Sequence, residues 1–322
     1  MPLYPLRFEP IFRRYLWGGR RLGTVLGKPI GEGDDYAESW EIVDRGEDQS
    51  RLLSGPLAGM TLGELVRSHG ADVFGRHHPQ QRFPLLFKLL DAQRTLSVQV
   101  HPDDEQAAQL TPPDLGKTEA WVVLAAEPGS VIYAGLKRGF DRTAFEREIA
   151  RGTCHLCLHS FEPRAGDVVL LPAGTVHALG AGLLIAEIQQ SSDTTFRLFD
   201  WSRIEPDGRP RPLHVEQALA AIDWRRGPIH PQTPAPTDQP HVERLVSCDK
   251  FVLDRRRVDQ SEPLGGDERF HLVSVIEGEL EIAGDPAGRP LRKGDSMLLP
   301  AALGGVVISP RQPTILLDAY LP

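Results

Sequence analysis

The stretch GDVVLLPAGTVH, residues 166–177, sets the pattern from which the fold can be predicted. It opens with a Gly-Asp turn, continues as an apolar strand of four residues and breaks at a proline. The same order of turn, strand and proline returns as GDSMLLPAALGG at 294–305. Two copies of one strand unit in a single chain indicate two copies of one β domain.

The repeat extends upstream of both copies. EAWVVLAAEPGSVIYAG, which starts at Glu119, matches the pattern of RFHLVSVIEGELEIAG, which starts at Arg269. In this pairing Arg269 stands near the position of Glu119, and Gly305 stands at the position of His177. A G-D-x-x-x-x-P pattern alone is a common turn-and-strand solution, but two fragments repeated in the same order favour duplication. We therefore expect one chemically active barrel and one structural barrel.

Most of the remaining chain also predicts strands, because short apolar runs alternate with Gly and Pro turns. Strands are expected in segments 38–43, 83–92, 95–102, 121–137, 155–163, 165–179, 182–192, 243–258, 269–284, 290–308 and 314–321. Helices are expected in segments 58–75, 102–110, 143–152 and 214–222, the first and third with capping boxes at Thr61/Glu64 and Thr143/Glu146. The fold class is mainly β, with a few inserted helices.

A proline-rich segment divides the chain. RGPIHPQTPAPTDQP, residues 226–240, has five prolines and almost no apolar content, so a linker or a surface crossing is expected there. The predicted domains are 1–225, with the helical insertions and the chemistry, and 241–322, a degenerate copy without metal ligands.

Composition and charge exclude several classes of function. A net charge of −8 and a pI of about 5.8 disfavour a nucleic-acid surface, although a local Arg/Lys pocket could still bind a small anion. The first 19 residues are broken by Pro, Arg and Gly, and no apolar run is long enough for a bilayer. Three cysteines do not suit a disulfide framework, so a cytoplasmic protein without a membrane partner is expected.

Three fragments carry donors for a divalent metal: VQVHPDDEQA at 98–107, GKTEAW at 116–121 and PAGTVHALG at 172–180. Their donors are Gln99, His101, Glu119 and His177. In a Q-x-H pair both side chains point to one face of a strand, and inward strands of a barrel can converge on one point. Nitrogen and oxygen ligands without thiolate are typical of a catalytic zinc site. Taken singly, each histidine would more often be a turn or core residue.

Two further motifs resemble ligand sites, but a structural role is expected for each. CHLCLH at 154–159 resembles a small metal motif, but no second Cys/His pair lies at zinc-finger spacing, so we expect a β-strand with buried Cys157. DRRRV at 254–258 is a short basic run, for which a solvated strand face is expected.

With SDTTFRLFDW at 192–201, these fragments resemble the type I, zinc-dependent mannose-6-phosphate isomerases in their short bacterial form. WGG at 17–19 and ESWE at 38–41 fit as well, so the resemblance covers most of the chain. It implies a tandem cupin, which is a pair of double-stranded β-helix or jelly-roll barrels. It also implies one Zn²⁺ per chain and interconversion of mannose 6-phosphate and fructose 6-phosphate through a cis-enediol.

The resemblance also implies the site residues. The family's zinc ligands fall on His101, Glu119 and His177, with Gln99 as the matching fourth donor, and its active-site arginine, lysine and aspartate fall on Arg197, Lys117 and Asp193. Longer members carry His before the lysine and Asn-Val around the arginine, where this chain has Gly116 and Thr-Phe.

Three roles follow for the charged residues. Arg197 is expected to stabilise the enediolate or to position the ring oxygen. Lys117 is expected to contact a phosphate or hydroxyl group or to act as a base. Asp193 is expected to act as an acid/base or to orient Arg197. Retention of these residues favours an enzyme acting on a small sugar phosphate, as a monomer or weak homo-oligomer. An isomerase of another hexose or hexose phosphate, or a non-catalytic sugar sensor, stays open.

Overall fold

The computed structural model describes residues 2–205 and 207–322. Its first part, up to Ile222, is mainly β with short helices between the strands. The strands are β1 Ile11–Gly19, β2 Tyr36–Ile42, β3 Asp44–Arg45, β4 Asp48–Gln49, β5 Leu85–Ala92, β6 Val98–Val100, β7 Glu119–Ala126, β8 Ile132–Leu136, β9 Leu158–Phe161, β10 Val168–Leu171, β11 His177–Leu179, β12 Leu183–Gln190 and β13 Phe196–Phe199. The helices are α1 Arg21–Thr24, α2 Leu62–Phe74, α3 Asp104–Ala107, α4 Arg142–Ala150 and α5 Val215–Ala221.

These strands form a barrel of two facing sheets. One sheet has the order β1-β2-β5-β12-β7-β10 and the other has the order β13-β6-β11-β8-β9, while β3 and β4 form a separate small hairpin. Consecutive strands such as β5 and β6, or β7 and β8, lie in different sheets. The chain therefore crosses between the layers after most strands, which brings strand ends that are distant in sequence to one end of the barrel.

The second part of the chain is a single wound sheet. Its strands are β14 Ala235–Pro236, β15 Val242–Ser247, β16 Val252–Val258, β17 Glu262–Gly265, β18 His271–Ile282, β19 Leu291–Arg292, β20 Ser296–Leu299 and β21 Gly305–Tyr320. Their order is β14-β15-β16-β21-β18-β19, with β17 on β21 and β20 on β18. The mainly β class with few helices is thus confirmed.

The two barrels repeat the same strand pairing residue by residue. The four pairs that join β10 to β7, ending with Leu171 opposite Glu119, return as four pairs between β20 and β18, ending with Leu299 opposite His271. The pairing of β2 with β5 returns as that of β15 with β16, and both contain an irregularity at the same step. The predicted duplication therefore extends to the backbone register.

This register corrects one detail of the sequence comparison. The glycines of the two Gly-Asp turns have φ near +90° and donate to Val123 and Val275, respectively. With Val123 matched to Val275, the position of Glu119 falls on His271, two residues beyond the Arg269 that fragment matching suggested. The match of Glu119 to Arg269 was wrong because a shift of two residues along a strand leaves the alternation of apolar and polar residues unchanged.

The largest apolar cluster lies between the two barrels. It combines first-barrel residues such as Phe74, Phe83 and Leu85 with second-barrel residues such as Phe270 and Leu317. The rings of Phe83 and Phe270 lie 4.9 Å apart. Burial of this shared apolar surface is the main free-energy contribution that holds the barrels together.

The N-terminal segment also ties the two barrels. Leu6 forms a two-way backbone bridge with Leu298 of β20. The next residue, Arg7, donates from Nε to Asp285 at 2.8 Å and from Nη2 to the carbonyl of Arg289 at 2.5 Å. Arg7 and Asp285 are both nearly inaccessible to solvent, each with 4% of its side chain exposed.

The predicted helices form, with one capping correction. The Thr61/Glu64 capping box is present at the start of α2, and α3 begins at a further box made by Asp103 and Gln106. Helix α4 begins at Asp141, whose carboxylate accepts from the backbone N–H of Ala144, so the expected Thr143/Glu146 box is wrong. Asp141 is the cap because its carboxylate accepts from the N–H of Ala144, two residues before the N–H of Glu146 that Thr143 would cap.

One segment differs from the strand expectation. Cys154–Cys157 forms a 3₁₀ turn, and the strand begins only at Leu158, although Cys157 is buried as expected.

Residues 226–240 cross the surface in contact with the first barrel. In this segment the backbone N–H of Ile229 donates to the carbonyl of Ala134, and Ala235–Pro236 pairs with β15.

The DRRRV segment is not a solvated face. It lies in β16, where Asp254 and Arg256 point into the second barrel and are buried, while Arg257 is exposed. The strand period of two separates the charges into an inner and an outer set, which a count of charges in sequence does not reveal. Among the described residues, no helix is long and apolar enough to cross a bilayer.

Candidate active site

The four predicted metal donors meet at one end of the first barrel. Gln99 lies in β6 and His101 directly follows this strand, while Glu119 and His177 open β7 and β11. His177 stands opposite Gln99 in the register of β11 and β6. Convergence follows from the barrel, because the C-terminal end of β6 and the N-terminal ends of β7 and β11 lie at the same end of the barrel.

Three of these side chains form a compact buried cluster. Nε2 of His101 lies 3.5 Å from Oε2 of Glu119, and Nε2 of His177 lies 3.3 Å from Oε1 of the same carboxylate. All three side chains are at most 2% exposed. In the described part of the chain, this is the only group of three or more His, Cys, Asp or Glu residues whose ligand atoms lie within 4.8 Å of one another.

The protonation state of both histidines is fixed by the backbone. Nδ1 of His101 lies 2.8 Å from the carbonyl oxygen of Thr194, and Nδ1 of His177 lies 2.9 Å from that of Thr175. Because a carbonyl only accepts, each Nδ1 carries the proton and each Nε2 directs a lone pair at Glu119. Burial holds the pKa of His101 well below its usual range and lowers the pKa of His177 to about 4.

This arrangement fits a bound divalent cation. Two lone pairs and a carboxylate face one another in a dry site, which is unfavourable unless a positive charge lies among them. Neither oxygen of Glu119 accepts a hydrogen bond of good geometry in the described structure, although the Lys117 ammonium lies 2.9 Å from Oε2. That ammonium also lies 3.4 Å from Nε2 of His101, where it partly supplies the missing positive charge.

Gln99 borders the cluster. Its Nε2 lies 3.3 Å from Nε2 of His177, and its Oε1 lies 3.3 Å from Oγ of Ser97. A rotation of the amide by half a turn would direct Oε1 at the histidine lone pair and hence at a shared cation. Its role as a fourth ligand stays a prediction.

A pocket of about 270 Å³ opens beside the cluster, and Arg197 and Asp193 both line it. Nη1 of Arg197 donates to the carbonyl of Pro212 at 3.0 Å, and its buried Nε has no acceptor in the described structure. Burial and the neighbouring Arg211 lower the pKa of Arg197. Asp193 is exposed and forms no ion pair within 4 Å of Arg197 in the described chain, so the carbonyl of Pro212 rather than Asp193 orients the guanidinium.

Sequence reasoning missed a pair of buried charges in the wall of this pocket. Lys88 of β5 stands opposite Glu187 of β12, with Nζ 3.8 Å from Oε1 of Glu187 and 3.5 Å from Oε2 of Glu38. Burial would lower the pKa of Lys88, but Glu38 and Glu187 outweigh it and raise the pKa. The sequence did contain a signal for this pair, because Lys88 and Glu187 each interrupt an otherwise apolar run, LLFKLLDA and LLIAEIQQ, near the middle of a buried strand.

Only one of the two carboxylate oxygens of Glu187 accepts a hydrogen bond in the described structure. Its Oε2 accepts from Nε1 of Trp121 at 3.0 Å, whereas its buried Oε1 accepts no hydrogen bond in the described structure. Burial, followed by the charge of Glu119, raises the pKa of Glu187. A buried carboxyl with a raised pKa beside a candidate metal centre is typical of a group that moves a proton.

The mouth of the pocket carries arginines. Arg211 lines the pocket and is held from outside by Asp200, with Nε–Oδ2 and Nη2–Oδ1 distances of 2.8 and 2.5 Å. Arg197 has no carboxylate within 4 Å among the described residues. Of the two guanidinium groups that line the pocket, Arg197 is therefore the one without a carboxylate partner in the described structure.

Comparisons with known proteins agree with this site. The family model of the type I phosphomannose isomerase catalytic domain matches residues 6–119, and that of the mannose-6-phosphate isomerase cupin domain matches residues 241–315. Mannose-6-phosphate isomerase ManA of Bacillus subtilis is 35% identical over 94% of this chain and 95% of its own length. Mannose-6-phosphate isomerase of Streptococcus mutans is 35% identical over 92% of both chains.

A solved structure has the same fold over its whole length. The crystal structure of mannose 6-phosphate isomerase from Bacillus subtilis superimposes with a TM-score of 0.91 at 30% identity, and covers 99% of this chain and 100% of its own. Full-length similarity of this kind, together with the buried His-Glu-His cluster, identifies the chain as a member of the type I mannose-6-phosphate isomerase family.

Proposed function

We propose that the chain interconverts mannose 6-phosphate and fructose 6-phosphate, with one Zn²⁺ per chain held by His101, Glu119 and His177. The observation that carries this proposal is the buried carboxylate of Glu119, which faces two histidine lone pairs beside a pocket lined by Lys117, Arg197 and Arg211. Names of the relatives support the substrate, and nitrogen and oxygen donors without thiolate support zinc.

When bound, the metal would act as a Lewis acid toward the oxygens on C1 and C2 of the open-chain sugar. Gln99 would complete its ligand set from β6. Lys117, which lies 2.9 Å from Oε2 of Glu119, would then be free to hydrogen-bond a sugar hydroxyl group as the cation takes over its place. Both histidine rings stay fixed by the carbonyls behind them.

Isomerisation removes a proton from C2 of the aldose and delivers one to C1 of the ketose. Glu187 is the group that we propose for this transfer, because its Oε1 is buried without a hydrogen bond in the described structure and the side chain lines the same pocket. Lys88, 3.8 Å away, limits the cost of the ionised state. Asp193 stays a candidate for proton exchange with solvent, since it is exposed at the pocket wall.

The phosphate group of the substrate belongs at the mouth. Arg197 offers a guanidinium without a carboxylate partner, and Arg211 is held in a fixed orientation by Asp200. A phosphate dianion there would place C1 and C2 toward the metal, and Arg197 would remain close enough to the ring to stabilise negative charge.

A coupled assay with metal analysis of the same sample tests this proposal. Mannose 6-phosphate is supplied, fructose 6-phosphate is measured, and one portion is treated with a chelator and then reloaded with Zn²⁺. Activity that is lost on chelation and restored by Zn²⁺ would support both the substrate and the metal. A folded, zinc-loaded protein without turnover would overturn the assignment and favour another hexose phosphate or a sugar sensor.

We also propose the division into domains 1–225 and 241–322 joined by 226–240, a cytoplasmic location, and a monomer or weak homo-oligomer. All three cysteines are free thiols, which supports a reducing compartment. Light scattering after size exclusion tests the oligomeric state.

A further inference from the structure

The second barrel contains a pocket at the position that corresponds to the active site. The strand register matches Lys88 to Asp254 and Glu187 to Asp318, because Asp254 and Asp318 stand opposite each other as Lys88 and Glu187 do. Through β18, His271 takes the position of Glu119. A cavity of about 170 Å³ is lined by Asp254, His271 and Asp318.

The metal donors of the first barrel are replaced at this pocket. Gly305 opens β21 where His177 opens β11, and the position of Glu119 holds a histidine whose two nitrogens are already engaged. Nδ1 of His271 lies 2.9 Å from Asp318 and Nε2 lies 3.1 Å from Asp267. Burial would lower the pKa of His271, but the two carboxylates outweigh it and raise the pKa to about 10, so both nitrogens donate at neutral pH.

The rest of the lining is a network of paired charges. Asp254 is held by the guanidinium of Arg244 and accepts from the hydroxyl group of Tyr320 at 2.7 Å. Arg256 donates from Nη1 to Glu262 at 2.9 Å, while its buried Nε has no acceptor in the described structure. A buried donor without an acceptor is unfavourable, and a ligand oxygen in the cavity would satisfy it.

Other inward positions of the second barrel are apolar. Farther along the same barrel, inward positions of the same strands hold Val258, Val275 and Leu316, which pack as an ordinary apolar core. Replacement of a buried charge network by apolar residues is often neutral or stabilising, so the network is not explained by stability. A cavity beside it points to binding.

We infer that the second barrel binds a small, uncharged, hydroxyl-rich molecule, such as a monosaccharide or polyol, at the counterpart of the active site. Four aspartates, Arg244, Arg256 and the imidazolium of His271 leave the lining close to neutral, which suits neither an anion nor a cation. Hydroxyl groups can donate to carboxylates and accept from guanidinium groups at once. The volume equals that of about six waters at ~30 Å³ each, the size range of a single sugar ring.

Hydrogen–deuterium exchange of the full chain tests the inference. Methyl α-D-mannopyranoside is the probe, because a glycoside cannot open its ring and cannot be turned over. We expect saturable protection of peptides that cover β16 and β21. The variant Arg256→Met should raise the half-saturating concentration at least tenfold. The matched control Arg257→Met removes the same charge from the outer face of the same strand and should change it less than twofold.

A second variant keeps the test decisive if Arg256→Met does not fold. Tyr320→Phe removes one hydroxyl group and retains the ring, and it should weaken protection in the same peptides. Absence of protection in β16 and β21, equal effects of the two arginine variants, or protection by inorganic phosphate in place of the sugar would each overturn the inference. The peptides report the second barrel alone, so the result is independent of whether the first barrel is an isomerase.

Discussion

The substitution Glu187→Gln separates proton transfer from folding and metal binding. Glutamine has the same shape, and its amide oxygen can still accept from Nε1 of Trp121, so the strand pairing of β12 should persist. What is lost is the buried oxygen that has no hydrogen bond in the described structure and can take a proton. Removal of a positioned acid or base lowers the rate by about 10²- to 10⁴-fold, or about 3–5 kcal/mol of transition-state stabilisation.

The assay is the coupled isomerase reaction, measured as a function of pH with metal content determined on each sample. We expect kcat to fall by about 100-fold or more at an unchanged metal content of one per chain. A base must be deprotonated to act, so the fall in kcat/KM toward acid pH should also disappear in Glu187→Gln. Asp193→Asn serves as the comparison, because this carboxylate is exposed. Retention of kcat within threefold in Glu187→Gln, or a larger loss in Asp193→Asn, would refute the assignment.

Four further outcomes are expected. His177→Ala should reduce bound metal from one per chain to near zero and abolish turnover, as measured by elemental analysis. Arg197→Ala should lower turnover severely while metal content stays near one, and loss of metal in this variant would indicate a structural role instead. Burial alone would lower the pKa of His271, but its carboxylate partners raise this pKa to about 10 in the folded chain, against about 6.5 in the unfolded chain. The contribution of His271 to stability is therefore complete below about pH 6.5 and is lost as the pH rises through about 10. Its upper bound is about 5 kcal/mol at 1.36 kcal/mol per pKa unit, and urea unfolding of wild type and His271→Gln should therefore converge between about pH 7 and 10. Arg7→Ala should lower the free energy of unfolding by about 3–5 kcal/mol because it leaves Asp285 buried without its partner, which the same urea titration measures.

Features carried by neighbouring residues could be predicted from the sequence. The metal donors lie in short motifs in which local spacing fixes the direction of each side chain, and the Gly-Asp turns define strand starts. The fold class follows from the same alternation of apolar runs and turns. These predictions depend on geometry within short segments of the chain.

Features that depend on register between distant strands could not be read in this way. Lys88 and Glu187 lie far apart in the sequence, and only the pairing of β5 with β12 brings them together. The inward direction of Arg256 within a basic run, and the match of His271 to Glu119, depend on the same kind of information. The 3₁₀ turn at 154–157 begins only four residues after the end of α4 at Ala150, and the sequence alone did not separate it from the strand that follows.

The apolar cluster shared by the barrels has a consequence for synthesis of the chain on the ribosome. The first barrel has all of its strands once residue 199 has emerged, yet strands that are made later complete the cluster around Phe83 and Leu85. Leu317 and Ala319 of the last strand, β21, belong to that cluster. Until Ala319 has been translated, the nascent protein therefore exposes part of this apolar face, and we expect it to depend on chaperones in this interval.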